Sequence, residues 1–219
     1  MAGPSNATAP PPPPPPPPPA VLAAPVAVLD PRYCVDYPVD MTITQKALSL
    51  TDGDYSIVDI NGNVLFKVKG KVLSIHGQRA LIDAAGNTVL TMRGKIRSMH
   101  DRWKIFRGVS TDQKDLLFSV KKSKFIQLKT QLNVYLATNT SETVPDFQVR
   151  GNRHERSCTI YLGESNSNVI IAQMREQYTF KNVISGRDMF GVTVYPKVDY
   201  AFIAALIIIL DDIDHSEEA

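Results

Sequence analysis

Lysine and arginine side chains recur at close spacing in three segments of the sequence. These cations are Lys67, Lys69, Lys71, Arg93, Lys95, Arg97, Lys121, Lys122 and Lys124. Between Lys67 and Lys129 the chain has 15 Lys and Arg against 4 Asp, although its net charge is only +2. Such a local excess of positive charge suits the binding of phosphate groups on lipid or nucleic acid. The alternative is that the cations only solvate the outer faces of strands.

The residue types that support catalysis form no known pattern. The 4 histidines stand in no recognisable arrangement with Cys34, Cys158 or any serine, whereas nucleophilic catalysis needs a nucleophile beside a general base. His154, Glu155 and Cys158 form one cluster, which a surface loop leading into a strand explains. No glycine-rich phosphate loop is present. We therefore expect no enzymatic activity, no cofactor and no metal.

An internal repeat organises the first half of the chain. Residues 57–72 recur as 81–96, so that Asp59-Ile-Asn-Gly-Asn63 is matched by Asp83-Ala-Ala-Gly-Asn87. Each copy predicts a strand, a tight turn at Gly-Asn and a second strand. The period of two residues in a strand predicts which side chains point inward. These are Phe66, Val68, Gly70, Val72, Leu90, Met92, Gly94 and Ile96, which alternate with the cations and Thr91. The inward glycines would relieve crowding or allow a bend.

Short strand patterns continue along the chain and are separated by turns. The predicted strands are 103–107, 116–120, 125–129, 133–137, 146–149, 159–162, 169–174 and 190–195. Many short strands at this spacing are typical of an antiparallel sandwich or barrel. A closed barrel also removes the exposed edges that invite aggregation. The fold class expected is therefore mainly β.

An uncharged run from Tyr200 to Leu210 follows the last predicted strand. It is shorter than the roughly 20 apolar residues of a transmembrane helix, so we expect it in a protein core. As a helix it would be apolar on nearly every face and would need to be wrapped by other protein. A closed antiparallel barrel around this central helix meets both requirements. A buried strand through Ile207, Ile208 and Ile209 remains the alternative.

The N-terminal residues differ from the rest of the chain. Residues 10–19 are all proline and favour an extended polyproline II form, which acts as a spacer or as a ligand for aromatic grooves. We expect disorder over 1–29, a barrel domain over 30–215 and an acidic tail over 216–219. No basic residue precedes the apolar stretch 21–29, as a secretory signal would require. The two separated cysteines favour a reducing, intracellular compartment, which is cytoplasmic, peripheral at a membrane or nuclear.

Six separate motifs resemble those of the plant LURP-one-related family over about residues 30–215. They are YCVDYP at 33–38, DINGNVLFKV at 59–68, HDRWKIFR at 100–107, DLLFSV at 115–120, ERSC at 155–158 and VDYAF at 198–202. The resemblance implies a tubby-like fold, a closed antiparallel barrel of about twelve strands around a hydrophobic C-terminal helix. It also implies a role in plant pathogen defence, without an established catalytic activity.

The same fold is shared by tubby proteins and phospholipid scramblases, so the resemblance suggests two kinds of ligand. Tubby proteins hold phosphoinositide headgroups on basic strand residues, which favours the cations named above. The segment from Asp188 to Pro196, with Asp199, looks like a scramblase pattern associated with calcium. Calcium needs about six to eight oxygen ligands, and these positions offer only two carboxylates. We therefore expect no metal site.

The residues and the resemblance together predict a non-enzymatic barrel that binds anionic phospholipid headgroups or partner proteins. The first alternative is a protein-interaction adaptor that docks a partner through Pro10 to Pro19. The second is a nucleic-acid-binding regulator in which Trp103 and Phe106 stack on bases between the basic strands. No transmembrane segment is expected.

Overall fold

Twelve strands and one long helix form most of the structure, a computed structural model that describes residues 22–45, 54–70, 78–95, 102–126, 129–152, 156–164, 167, 169–176 and 189–216. The strands are β1 (Val39–Gln45), β2 (Tyr55–Asp59), β3 (Val64–Gly70), β4 (Gln78–Asp83), β5 (Thr88–Lys95), β6 (Arg102–Arg107), β7 (Leu116–Ile126), β8 (Lys129–Leu136), β9 (Phe147–Asn152), β10 (Ser157–Leu162), β11 (Ile170–Glu176) and β12 (Met189–Val194). The helix is α1 (Tyr200–Ser216).

Each strand pairs antiparallel with the strands before and after it in the sequence, and β12 pairs with β1 to close the barrel. In that closing pair Val39 lies opposite Val194 and Ile43 lies opposite Phe190. Closure leaves none of the twelve described strands with a free hydrogen-bonding edge. The mainly β barrel that the sequence predicts is therefore confirmed.

The internal repeat forms two successive hairpins, β2–β3 and β4–β5. In the first turn the Asp59 carboxylate accepts the backbone N–H groups of Asn61 and Asn63, both at 2.8 Å. Gly62 follows with a φ of 83°, a conformation that favours glycine. Asp83 accepts the N–H of Asn87 at 2.8 Å in the same way. These hydrogen bonds explain why the same residues recur in both copies.

The inward glycine of β5 makes room for a large side chain on the next strand. A Cβ atom at Gly94 would lie 2.7 Å from two ring atoms of Trp103. Trp103 is 4% exposed and belongs to the core. The predicted inward residues Phe66, Val68, Leu90 and Met92 are buried as well, while Val72 and Ile96 lie outside the described residues.

Two details differ from the sequence prediction. Residues 116–120 and 125–129 were expected as separate strands, but β7 runs unbroken to Ile126, with a pairing irregularity between Lys122 and Lys124. The lysine-rich middle of β7 lacks apolar alternation, so the sequence pattern does not show that the strand is continuous.

Thr91 faces outward, yet it is 2% exposed and donates a hydrogen bond from Oγ1 to the Gly108 carbonyl at 2.7 Å. The β6–β7 loop therefore contacts the outer surface of β5.

Helix α1 fills the barrel. Residues Ala201 to Leu210 are all buried, and the Phe202 ring packs against Phe118 and Phe147 with centroid separations of 5.0 and 4.8 Å. Each buried Ile or Leu contributes about 1.5–3 kcal/mol of transfer free energy. The central helix is confirmed, and the alternative of a strand at residues 207–209 is wrong. Among the described residues, no helix combines the length and apolarity needed to cross a membrane.

The start of α1 is joined to the N-terminal segment by Asp199, which is 0% exposed. Its Oδ1 accepts the N–H groups of Ala201 and Phe202 at 3.1 and 3.0 Å. Its Oδ2 accepts N–H groups of residues 28 to 30, of which Leu29 is the nearest at 2.7 Å. The domain start expected at Asp30 therefore falls inside a packed segment, since the carboxylate binds backbone on both sides of it. Residues 1–21 and 217–219 lie outside the described part of the chain.

Candidate anion-binding surface

The two ends of the barrel are distinct because α1 runs through it in one direction. At the end where α1 begins, which we call the Asp199 end, lie the β2–β3, β4–β5, β6–β7, β8–β9 and β10–β11 connections. At the opposite end, which we call the Asp212 end, α1 finishes beside the first residues of β2 and β4. There Tyr55 donates a hydrogen bond to Asp211, and Arg79 forms an ion pair with Asp212.

Exposed cations are concentrated towards the Asp212 end. Each lies on the outer surface in the half of its strand nearest that end, and five different strands contribute one each. They are Lys69 on β3, Arg93 on β5, Lys129 on β8, Arg150 on β9 and Arg175 on β11. Because these strands are distributed around the barrel, the cations surround its end; we call them the cation ring. Such a ring can meet a flat anionic surface end-on.

Acidic residues dominate the opposite end. Those in the turns and strand ends there are Asp30, Asp36, Asp40, Asp59, Asp83, Asp112, Asp115, Glu142, Asp146 and Glu164, whereas the cations are Arg32, Arg107, Lys114 and Lys197. Hydrogen bonds from Asn63 lower the pKa of Asp59, and those from Asn87 lower the pKa of Asp83. Both carboxylates are therefore ionised at neutral pH. Among the described residues, exposed charge is therefore mainly positive at the Asp212 end and mainly negative at the Asp199 end.

Two carboxylates of α1, those of Asp211 and Asp212, make contacts within the protein at the Asp212 end. Asp212 is paired with Arg79, whose guanidinium also lies 5.6 Å from the centroid of the Tyr55 ring. Burial, followed by the charges of Asp211 and Asp212, raises the pKa of Tyr55, so that its hydroxyl stays protonated and donates to Asp211. These contacts hold both acids against the inside of the barrel.

A groove of about 550 Å³ lies between β8, β9 and β10 at this end. Lys129 and Arg150 line it together with the polar side chains of Asn152 and Ser157. The Arg150 guanidinium lies 5.6 Å from the centroid of the Tyr161 ring, a cation–π contact that orients it. Two cations beside hydroxyl and amide groups can bind a phosphate group.

The cations predicted from the sequence lie on alternate strands. Lys67 and Lys69 are exposed on β3, Arg93 is exposed on β5, and Lys121 and Lys122 are half-buried on β7. Strands β4 and β6 separate them, so the side chains do not lie on adjoining strands. Lys95 and Lys124 belong to β5 and β7, but their side chains, like residues Lys71 and Arg97, fall outside the description.

Lys121 is engaged within the protein. It contacts the Glu142 carboxylate, which also binds Arg102, and its Nζ lies 5.4 Å from the centroid of the buried Tyr135 ring. Burial would raise the pKa of Glu142, but the hydrogen bond from Lys121 and the charges of Arg102 and Lys121 hold it below its usual range. Glu142 is therefore ionised, and the two cations share its single negative charge.

Three members of the cation ring escaped the sequence analysis. Lys129, Arg150 and Arg175 lie outside the three segments in which lysine and arginine recur at close spacing. Their shared position becomes visible only from the strand register, which places Gln131 opposite Arg150 and Ser157 opposite Arg175. The usable signal was a single cation at the end of, or directly after, three predicted strands, which are 125–129, 146–149 and 169–174.

Other candidate groups have structural roles. Both oxygens of Asp199 accept backbone N–H groups. Asp188, the other carboxylate of the scramblase-like pattern, lies outside the described residues. Burial raises the pKa of Asp199, although the N–H donors oppose that shift. His154 and Glu155 also lie outside the description. Within the residues that it covers, no three His, Cys, Asp or Glu side chains approach closely enough to hold a metal ion.

The two aromatic side chains predicted to stack on nucleic-acid bases are buried. Trp103 and Phe106 are 4% and 3% exposed. Trp103 points into the core, whereas Phe106 lies on the outer-facing side opposite Thr91. The nucleic-acid alternative therefore loses its stacking surface, because both rings are buried in the folded barrel and cannot stack on a base.

A family model described as LURP-one-related matches residues 39–211, which includes all twelve strands and most of α1. The chain belongs to the LURP-one-related family. The match confirms the resemblance carried by the six motifs and covers both ends of the barrel, including every member of the cation ring.

Individual LURP-one-related proteins agree with this assignment. The chain is 50% identical to Protein LURP-one-related 15 of Arabidopsis thaliana over 192 residues, and this aligned region covers 88% of each protein. It is 45% identical over 190 residues to Protein LURP1 of the same plant, or 87% of this chain and 91% of LURP1. An X-ray structure of a protein from Arabidopsis thaliana superposes with a TM-score of 0.67 at 46% identity, covering 86% of this chain and 98% of that one.

Proposed function

We propose that the protein is a non-catalytic module that binds anionic phospholipid headgroups through the Asp212 end of its barrel. The observation that carries the proposal is the cation ring, in which exposed cations from five strands share one end while acids dominate the other. This polarity would orient the barrel on approach, because an anionic surface attracts one end and repels the other.

The expected affinity comes from several weak contributions. Each Lys or Arg near an anionic membrane contributes about 1 kcal/mol, which falls off within a Debye length. The cation ring would therefore give reversible binding that weakens as salt rises. A phosphate in the groove beside Lys129 and Arg150 would add charge-assisted hydrogen bonds, which favours headgroups with exposed phosphate over phosphatidylserine.

Vesicle flotation of the full chain tests this proposal. Vesicles of phosphatidylcholine with and without phosphatidylinositol phosphate would be compared at low and physiological salt. We expect flotation only with the anionic lipid, and about tenfold weaker binding for each of Lys69→Glu and Lys129→Glu. Binding by both variants equal to that of the unaltered protein would refute the proposal.

The matched control is Lys114→Glu, because this exposed lysine lies at the Asp199 end. It undergoes the same charge reversal, so any effect of net charge alone appears equally in all three variants. We expect Lys114→Glu to leave flotation unchanged within a factor of about two, since its position faces away from the membrane.

The alternative of an adaptor depends on Pro10 to Pro19, which the structure does not describe, and it stays a prediction. Deleting residues 1–21 would separate the two functions, since headgroup binding by the barrel does not need them. A role in plant pathogen defence likewise stays a proposal, in which membrane recruitment would be the step that the barrel performs.

A further inference from the structure

The β8–β9 connection, residues 137–146, contacts the outer surface of β6 and β7 through one acidic side chain. The Glu142 carboxylate binds the Arg102 guanidinium through Oε1 and the Lys121 ammonium through Oε2. Ser119 donates its hydroxyl to Oε1 at 3.4 Å and accepts a hydrogen bond from Arg102 Nη2 at 3.1 Å. An arginine, a lysine and a serine on two adjacent strands therefore converge on one anion.

Glu142 has an unfavourable backbone conformation, which hydrogen bonds of the Asn139 side chain support. Glu142 has a φ of 48°, in the left-handed region that non-glycine residues rarely adopt. Asn139 Oδ1 accepts the Glu142 N–H at 3.1 Å, while its Nδ2 donates to the Val144 carbonyl at 2.8 Å and to Asp146 at 2.9 Å. This framework presents the carboxylate to the two cations.

The carboxylate does not satisfy all the donors around it. Arg102 Nε is buried and makes no hydrogen bond within the described part of the chain. A carboxylate has two oxygens, and here one binds Arg102 Nη2 and the other binds Lys121. A phosphomonoester has three terminal oxygens and a larger negative charge. It can bind Arg102 through both Nε and Nη2 and still contact Lys121, which is the bidentate geometry that arginine favours.

We propose that Arg102, Lys121 and Ser119 form a phosphomonoester site that Glu142 occupies as an internal anion. The inference deepens the proposed function and rests on it for the lipid source of the phosphate; free phosphate is the other source. Binding requires the 137–146 loop to lift. The apparent affinity is therefore the intrinsic affinity multiplied by the fraction of molecules in which the loop has lifted. The loop thus competes with the ligand for the same donors.

The test measures phosphate binding by the full chain with the competitor removed. Inorganic phosphate would be titrated calorimetrically into the unaltered protein, Glu142→Gln and Glu142→Ala. We expect both variants to bind phosphate about tenfold or more tightly than the unaltered protein, since an ionic hydrogen-bonded competitor is lost. Adding Arg102→Gln to Glu142→Ala should abolish the gain. The control is Glu164→Ala, an exposed acid on another loop at the same end, which should change nothing.

Thermal unfolding of each variant checks that the barrel is intact, and Glu142→Gln keeps the inference falsifiable if Glu142→Ala proves unstable. Phosphate affinity of Glu142→Gln equal to that of the unaltered protein would overturn the inference, as would a gain that survives Arg102→Gln. A parallel flotation arm distinguishes the sources: tighter binding of phosphatidylinositol phosphate vesicles identifies the lipid headgroup, and a gain confined to inorganic phosphate identifies the free anion.

The failure of this inference is distinguishable from that of the proposed function. If Lys69→Glu and Lys129→Glu weaken flotation while Glu142 variants do not change phosphate or vesicle binding, the cation ring binds lipid and only the Glu142 competition is refuted. If the ring variants have no effect while Glu142→Gln binds phosphate more tightly, the site is supported and end-on membrane binding is refuted.

Discussion

Leu29 donates its backbone N–H to the Asp199 carboxylate at 2.7 Å, although 170 positions separate the two residues in the sequence. The same carboxylate caps α1. One buried side chain therefore joins the segment before β1 to the start of the central helix. Arg107 strengthens this junction, because its Nη1 donates to the Leu29 carbonyl at 2.8 Å.

Replacement of Asp199 by asparagine should destabilise the barrel. Asparagine has only one acceptor oxygen. Its NH2 group would face backbone N–H groups that now donate to the second carboxylate oxygen, so these donors would lose their acceptor. We expect Asp199→Asn to lower the free energy of unfolding by about 2–4 kcal/mol, measured by urea denaturation. Asp36→Asn, at an exposed position of the same segment, is the control. Equal stability of the two variants would contradict the role given to Asp199.

Gly94 should be intolerant of any larger side chain. An added Cβ would meet the Trp103 ring at 2.7 Å, and such overpacking costs about 1–3 kcal/mol. The control is Gly151→Ala, whose Cβ would meet Leu210 at 3.4 Å, and we expect a cost below about 1 kcal/mol. Trp103 is the single tryptophan, so its emission spectrum reports the displacement directly. An unshifted emission in Gly94→Ala would disprove the close contact.

The sequence predicts the barrel better than its ligand surface. Local patterns in the sequence predict the turns at Gly62 and Gly86 and the apolar helix α1. The turn residues determine two hairpins, and the apolar run determines a buried helix. The cation ring is different, because Lys129, Arg150 and Arg175 come together only through the closure of the sheet. Glu142 was missed for the same reason. Its partners Arg102 and Lys121 lie 40 and 21 positions away, and a loop conformation rather than a motif brings them together.

The contribution of Glu142 to stability should depend on pH. Its pKa is lowered in the folded protein, so its ion pairs stabilise the fold fully above the unfolded pKa of about 4.3, and this contribution is lost as the pH falls from there through the lower pKa of the folded state. The stability difference between the unaltered protein and Glu142→Gln should be constant from about pH 6 to 8 and shrink below about pH 4. Urea denaturation at several pH values measures it. A difference that persists undiminished at the lowest pH would contradict the ion pairs.

Cys34 should react slowly with thiol reagents. Burial and the nearby charges of Asp199 and Asp30 raise its pKa to about 11, so near pH 8 its thiolate fraction is roughly a hundredfold below that of a free cysteine. We expect alkylation to be correspondingly slow in the folded protein and fast in guanidinium. Cys34→Ser identifies the reacting group, since Cys158 is buried. Fast alkylation of the folded chain would show that the N-terminal segment does not cover this site.

The most direct test of the proposed function is which end of the barrel touches lipid. In a Cys34→Ser background, an environment-sensitive fluorophore would be attached through Ser123→Cys in one protein and Ile60→Cys in another, because the two side chains are exposed at opposite ends and neither belongs to the cation ring. Vesicles containing phosphatidylinositol phosphate should shift the emission of the label at position 123 and leave that at position 60 unchanged. A shift at position 60 alone, or no shift at either position, would contradict end-on binding through the cation ring.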